Sequence, residues 1–270
     1  MRRLLNGGVP SGSRKPDGQL TSTSAVYWLV RHWLEIALAL LAVYVLLPFV
    51  APVAMWLGQE SLGNAIYEVY STQCHQMAQR SFFLFGPRLM YDLDELPVTT
   101  SGRLSDTLVL RAFRGNQTLG WKVAWSDRMV YMYGGLLLAG LVYRVYFVKR
   151  RPMPLRLRWV FLLMVPLALD GITHLVSDQS GLASGFRYDN AWLAQATGFM
   201  FPEGFYRGDA LGSFNSLVRM ISGLLFAMAI GGLIFPLIDQ SMRYNAYLLS
   251  RKLGKVPQSP PGNGAPHGVL

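Results

Sequence analysis

The stretch Trp33-Leu-Glu-Ile-Ala-Leu-Ala-Leu-Leu-Ala-Val-Tyr-Val-Leu-Leu-Pro48-Phe-Val-Ala-Pro52-Val-Ala-Met-Trp56 decides the fold. It carries one acid, Glu35, near its start, and is otherwise apolar over the length needed to cross a hydrocarbon layer of ~30 Å. Its two prolines are tolerated in membrane helices. The run is too long and starts too late for a cleaved leader, so it reads as a helix that stays in the chain. Three further apolar blocks follow, about 129–147, 159–176 and 217–238. Trp33, Trp56, Tyr131, Tyr146 and Trp159 fall near the proposed ends, where interfacial aromatics belong. The chain is therefore expected to be an all-α integral membrane protein, a four-helix transmembrane bundle.

The rest of the composition agrees. The 270 residues are 51% hydrophobic, with a mean hydropathy of +0.27. The formal charge of +10 is unevenly spread. Arg2, Arg3, Arg14, Lys15 and Arg31 precede the first helix. Arg144 and five bases from Lys149 to Arg158 surround the second connection. Arg243, Arg251, Lys252 and Lys255 follow the fourth helix. On that same side lie only Asp17, Glu35 and Asp239. This asymmetry puts both termini in the cytoplasm, at the inner (plasma) membrane. The basicity is then an orientation signal, and nucleic acid is discounted as a partner. The expected partners are the lipid bilayer and other membrane proteins.

The division is expected to be a disordered cytoplasmic segment over 1–31, a membrane domain over 32–240 and a cytoplasmic tail over 241–270. The polar N-terminus and the Pro/Gly-rich segment from Val256, with its single His267, lack apolar periodicity. Two extracytoplasmic loops, about 57–127 and 177–216, are too long to be simple connections. The first contains an expected surface helix, Leu62 to Arg80, and an expected short strand, Thr107 to Phe113. The second sets Trp192, Phe199, Phe201, Phe205 and Tyr206 among glycines, which suggests a folded cap. Gly223, Ala227 and Gly231 on the fourth helix, and Gly135 with Ala139 on the second, form small-residue stripes. Packing within the bundle is the simpler reading of these stripes than an oligomer interface.

The candidate chemistry is polar and sits near the outer helix ends. Asp170 and His174 are four apart on the third helix and share a face. A carboxylate at that depth needs a partner, and Arg128 and Arg219 are the candidates. Such a group is either a functional site (proton relay, metal or ligand anchor) or an ion pair that fixes helix register. Cys74-His75-Gln76 is the second feature. Cys74 is the only cysteine, so no intrachain disulfide and no multi-cysteine zinc site can form. A metal site would need Cys74, His75 and His174 together with Asp170. Asn116-Gln117-Thr118 matches a glycosylation sequon, a motif frequent by chance. No phosphate-binding loop, dinucleotide glycine pattern, H-E-x-x-H or serine elbow is present. The sequence leaves the cofactor unknown.

Three motifs carry a resemblance. They are Cys74-His75-Gln76 followed by Arg80-Ser-Phe-Phe-Leu-Phe-Gly86, then Pro166-Leu-Ala-Leu-Asp170-Gly171-Ile-Thr-His174, and Ser216-Leu-Val-Arg219-Met-Ile-Ser222-Gly223-Leu-Leu-Phe226. In this order they resemble the bacterial domain-of-unknown-function 2085 (DUF2085) membrane proteins, in a long-loop form. The resemblance implies a small polytopic membrane protein and no established activity. Typical members carry cysteines around an arginine before the second helix. Here that stretch reads Trp125-Ser126-Asp127-Arg128, so the arginine matches and the cysteines are missing. Two functions follow as expectations. One is a non-enzymatic subunit, assembly or scaffold module presenting the cap. The other is a metal-binding redox module or membrane enzyme, with Cys74, His75, Arg128, Asp170, His174 and Arg219 converging.

Overall fold

A computed structural model describes residues 17–100 and 106–255. The chain is mostly helical, and four of its helices are long and apolar enough to cross a membrane. The first, α2, runs Trp33–Trp56. This matches the expected bounds, because an unbroken apolar run marks its own ends. The second, α5, runs Asp127–Phe147, the third, α6, Leu157–Asp178, and the fourth, α10, Phe214–Lys252. The last is far longer than the apolar block at 217–238. Hydropathy marks only the apolar part of a helix that continues through polar residues.

The chain divides into two compact units. Among the described residues, the smaller joins the stretch up to Glu35 to the stretch from Ile238 on. It contains helix α1, Asp17–Arg31, where the sequence reading expects no order over 1–31. The Ser/Thr-rich start of this stretch masks the run Val26-Tyr-Trp-Leu-Val30, which is helical. Here also Arg243 donates to Asp239 one turn earlier at 2.7 Å, and Lys255 lies 5.6 Å from the Tyr27 ring. The tail expected from residue 241 is helical to Lys252. Residues 1–16 and 256–270, including His267, lie outside the described residues.

The larger unit, Ile36–Leu237, holds α5, α6, most of α2, the first part of α10 and the long loops. Small residues set the contact between α5 and α10. A Cβ on Gly223 would lie 2.9 Å from Tyr131 Cβ, one on Gly135 would lie 2.8 Å from Ala227 Cβ, and one on Gly231 would lie 3.0 Å from Ala139 Cβ. The small-residue stripes thus bring two backbones together within one chain. Two five-residue π turns, Val130–Gly134 and Tyr143–Phe147, interrupt α5.

The loop after α2 differs from its expected form in three ways. Its surface helix, α3, runs Glu60–Ser71 and stops well short of Arg80. The segment Thr107 to Phe113 is not a strand: α4 covers Asp106–Ala112, and its Leu110 is fully buried. A three-stranded antiparallel sheet is also present, with β1 Ser81–Leu84, β2 Gly115–Asn116 and β3 Gly120–Ser126 in the order β1-β3-β2. Buried Lys122 hides β3 from hydropathy. Its Nζ donates to the carbonyls of Gln76 and Arg111 at 2.7 Å and of Leu110 at 3.2 Å, so it ties α4 to the sheet. Burial, and then Arg114 nearby, pull this amine down to about 7.

Against the sheet packs an aromatic core. Trp125 stacks on Tyr133 at 5.3 Å and meets Tyr44 and Tyr70 edge-on at 5.1 and 5.3 Å. Tyr67 donates to the Lys122 carbonyl at 2.5 Å. This core clamps α2, α3, β3 and α5 together just before Asp127.

Candidate functional site

The loops and helix ends meet in a lattice of four arginines and four aspartates: Arg80, Arg128, Arg187 and Arg219 with Asp127, Asp170, Asp178 and Asp209. Each residue is delivered by a local feature. A turn of 3-10 helix, Ala78–Arg80, presents Arg80 just before β1. Asp127 and Arg128 open α5 where β3 ends. Gly185 packs against Ser177, so closely that any Cβ would overlap it. Ser177 Oγ then accepts the Arg187 amide at 2.9 Å, which turns helix α7, Phe186–Asp189, back onto α6. Gly208, at φ +76°, has no room for a side chain beside Asp92. This lets Asp92 Oδ1 accept the amides of Asp209 and Ala210, both at 3.0 Å, and so fixes Asp209. Asn215 holds the same turn, donating to the carbonyls of Arg187 and Gly208 at 2.6 and 2.8 Å.

One half of the lattice centres on Asp209. Arg80 donates through Nε to Asp209 at 2.8 Å and through both Nη atoms to Asp178 at 2.9 and 3.0 Å. Arg219 donates through Nε to both Asp127 oxygens at 2.9 and 2.8 Å. Its Nη1 reaches Asp209 Oδ1 at 2.6 Å and its Nη2 the Asp209 carbonyl at 2.7 Å. All six guanidinium nitrogens of this half are used. Burial alone would raise the Asp209 carboxyl, but Arg80 and Arg219 hold it well below the ordinary carboxylate range.

The other half centres on Asp170. Arg128 Nη2 donates to Asp170 Oδ2 at 2.6 Å, and Arg187 Nη2 to Oδ1 at 2.9 Å. His174 Nε2 lies 3.5 Å from Asp170 Oδ1 and 3.2 Å from Arg187 Nη2. Three buried nitrogens here have no hydrogen-bond partner among the described residues: Arg128 Nε, Arg187 Nε and His174 Nδ1. The halves join at the peptide between their neighbouring residues, where Asp127 Oδ1 accepts the Arg128 amide at 2.7 Å.

Of the six residues expected to converge, Arg128, Asp170 and His174 do so. Arg219 belongs to the other half and pairs with Asp127 and Asp209, not with Asp170. Cys74 and His75 are elsewhere. Cys74 Sγ donates to Ser126 Oγ at 3.4 Å beside the aromatic core, and His75 is exposed. The side chain that the Cys-His-Gln motif buries is Gln76, which donates to the carbonyls of Tyr67 and Ala124 at 3.0 and 2.9 Å. Cys74, His75 and His174 therefore do not form a metal site. No group of three His, Cys, Asp or Glu side chains that could hold a metal occurs among the described residues. Sequence reasoning missed Arg80, Asp127, Asp178, Arg187 and Asp209 as site residues, although Arg80 stands in a quoted motif.

The chain is similar to an uncharacterized protein of Methanocaldococcus jannaschii, 26% identical over 152 residues, which cover 54% of this chain and 74% of that protein. No family model matches the chain, and no solved structure matches it.

Proposed function

We propose that this protein is a non-enzymatic membrane module, a subunit, assembly factor or scaffold, which presents a rigid folded cap on the extracytoplasmic side of the bacterial inner membrane. The observation that carries this reading is the Asp209 half of the lattice. Two arginines tie the start of β1, the end of α6, the turn before α10 and the first residue of α5 into one unit, with every guanidinium nitrogen committed. Groups so fully paired and buried specify a shape and leave no reactive atom free. The basic residues gathered before α2, between α5 and α6 and after α10 support the orientation, with both termini inside. The resemblance of the three motifs supports kinship with DUF2085 proteins, and their Arg80, Asp170 and Arg219 lie in this lattice. Among the described residues no ligand set supports the redox-metal alternative.

The test is extraction at native expression in mild detergent, followed by native mass spectrometry. A stoichiometric protein partner is expected. A lone monomer under conditions that preserve other membrane complexes would contradict the proposal.

A further inference from the structure

The Asp170 half carries two guanidiniums against one carboxylate, and most of their nitrogens are uncommitted. Arg128 donates only through Nη2 to Asp170, its Nε has no partner among the described residues, and a quarter of its side chain is exposed (25%). Its Nη1 borders the gap left by Gly171 on α6, a notch with no side chain in it. A Cβ placed on Gly171 would meet only Arg128 Nη1, at 3.9 Å, so the missing side chain of Gly171 leaves that nitrogen open beside α6. Ala168 and Leu175, three before and four after Gly171, lie on the same face of the helix and are exposed.

We infer that this notch binds the headgroup phosphate of an anionic phospholipid, with Arg128 Nη1 as donor and an acyl chain against α6 at Ala168. Three observations converge on it. Surplus positive charge stands beside unused N–H donors, which suits an oxyanion. His174 Nδ1 and Arg187 Nε, on side chains only 4% and 8% exposed, leave the same half short of acceptors. The notch opens on an apolar helix face, which suits a ligand with a hydrocarbon body more than a soluble anion. The inference rests on the membrane reading above but not on the proposed protein partner.

Gly171 supplies a variant that separates binding from folding. A Cβ there is in ordinary contact with Arg128 and nothing else, so Gly171→Leu is expected to fill the notch while Arg128 and Arg187 keep their bonds to Asp170. The full chain, purified in detergent, is titrated with phosphatidylglycerol, with phosphatidylcholine and with inorganic phosphate, and read by native mass spectrometry beside thermal unfolding. Phosphatidylglycerol is expected to bind about tenfold more tightly than phosphatidylcholine, and Gly171→Leu to remove that preference with an unchanged melting temperature. Arg128→Lys should keep part of the preference. Equal binding of the two lipids, an unaltered preference in Gly171→Leu, or binding of inorganic phosphate without the lipid would each overturn the inference. A chain that stays soluble without detergent would instead overturn the membrane reading itself.

Discussion

The two halves of the arginine–aspartate lattice use the same chemistry and differ in how completely they use it. Around Asp209, Arg80 and Arg219 place all six guanidinium nitrogens on carboxylates or a carbonyl. Around Asp170, Arg128 and Arg187 each reach the carboxylate with one nitrogen, and their Nε atoms have no partner among the described residues. The difference separates two roles. A saturated fork holds loops in one arrangement, because any other arrangement would strand a buried charge. An unsaturated fork beside an exposed notch retains donors for something else.

That contrast fixes the order of expected effects. The largest belongs to Arg219→Leu, which leaves Asp127 and Asp209 buried without their shared cation and should cost about 3–5 kcal/mol in denaturant unfolding of the detergent-solubilised protein. Arg80→Gln comes next, at roughly 2–4 kcal/mol, because Arg219 still holds Asp209. A double-mutant cycle of Arg80→Gln with Asp178→Asn should return a coupling of about 1–3 kcal/mol. Arg128→Gln is the mildest, about 1–2 kcal/mol, since Arg187 remains on Asp170 and Arg128 is partly exposed. If Arg128→Gln proved as damaging as Arg219→Leu, the contrast would fail.

Acidity sharpens it further. Asp209 is held below its unfolded value, so its contribution is fully present above about pH 3.9 and is lost as pH falls through the lower folded value. Wild-type stability should therefore show this component as constant from neutrality to about pH 4 and falling below it, and Arg219→Leu should flatten the fall. Unfolding midpoints measured across that range check both.

How far the sequence disclosed this arrangement follows from what its signals can carry. The first span could be read residue for residue, because an unbroken apolar run has no competing interpretation. Asp170, His174, Arg128 and Arg219 stood out for the same reason: a polar group within or at the edge of an apolar block is conspicuous. Arg80, Asp178, Arg187 and Asp209 did not, since charged residues are ordinary in loops and their partners are remote. Arg80 and Asp209 are 129 residues apart, and Arg219 and Asp127 are 92 apart. Local patterns misled twice where tertiary contacts decided. Leu108, Val109 and Leu110 read as a strand, but α4 forms there and buries Leu110 in a core cluster with Phe83 and Tyr91. In β3 the reverse occurred, because Lys122 breaks the apolar pattern yet is buried on three carbonyls.

In the proposed reading the two loops form one rigid cap held by the Asp209 half of the lattice. Hydrogen exchange read by mass spectrometry, comparing the wild type with Arg219→Lys, tests it directly. The lysine keeps the charge and loses the fork, so the fold should survive. The amides of 81–84, 120–126 and 186–213 should be protected together in the wild type and lose protection together in the variant. Independent exchange of the two loops, or loss confined to the first turns of α10, would contradict it.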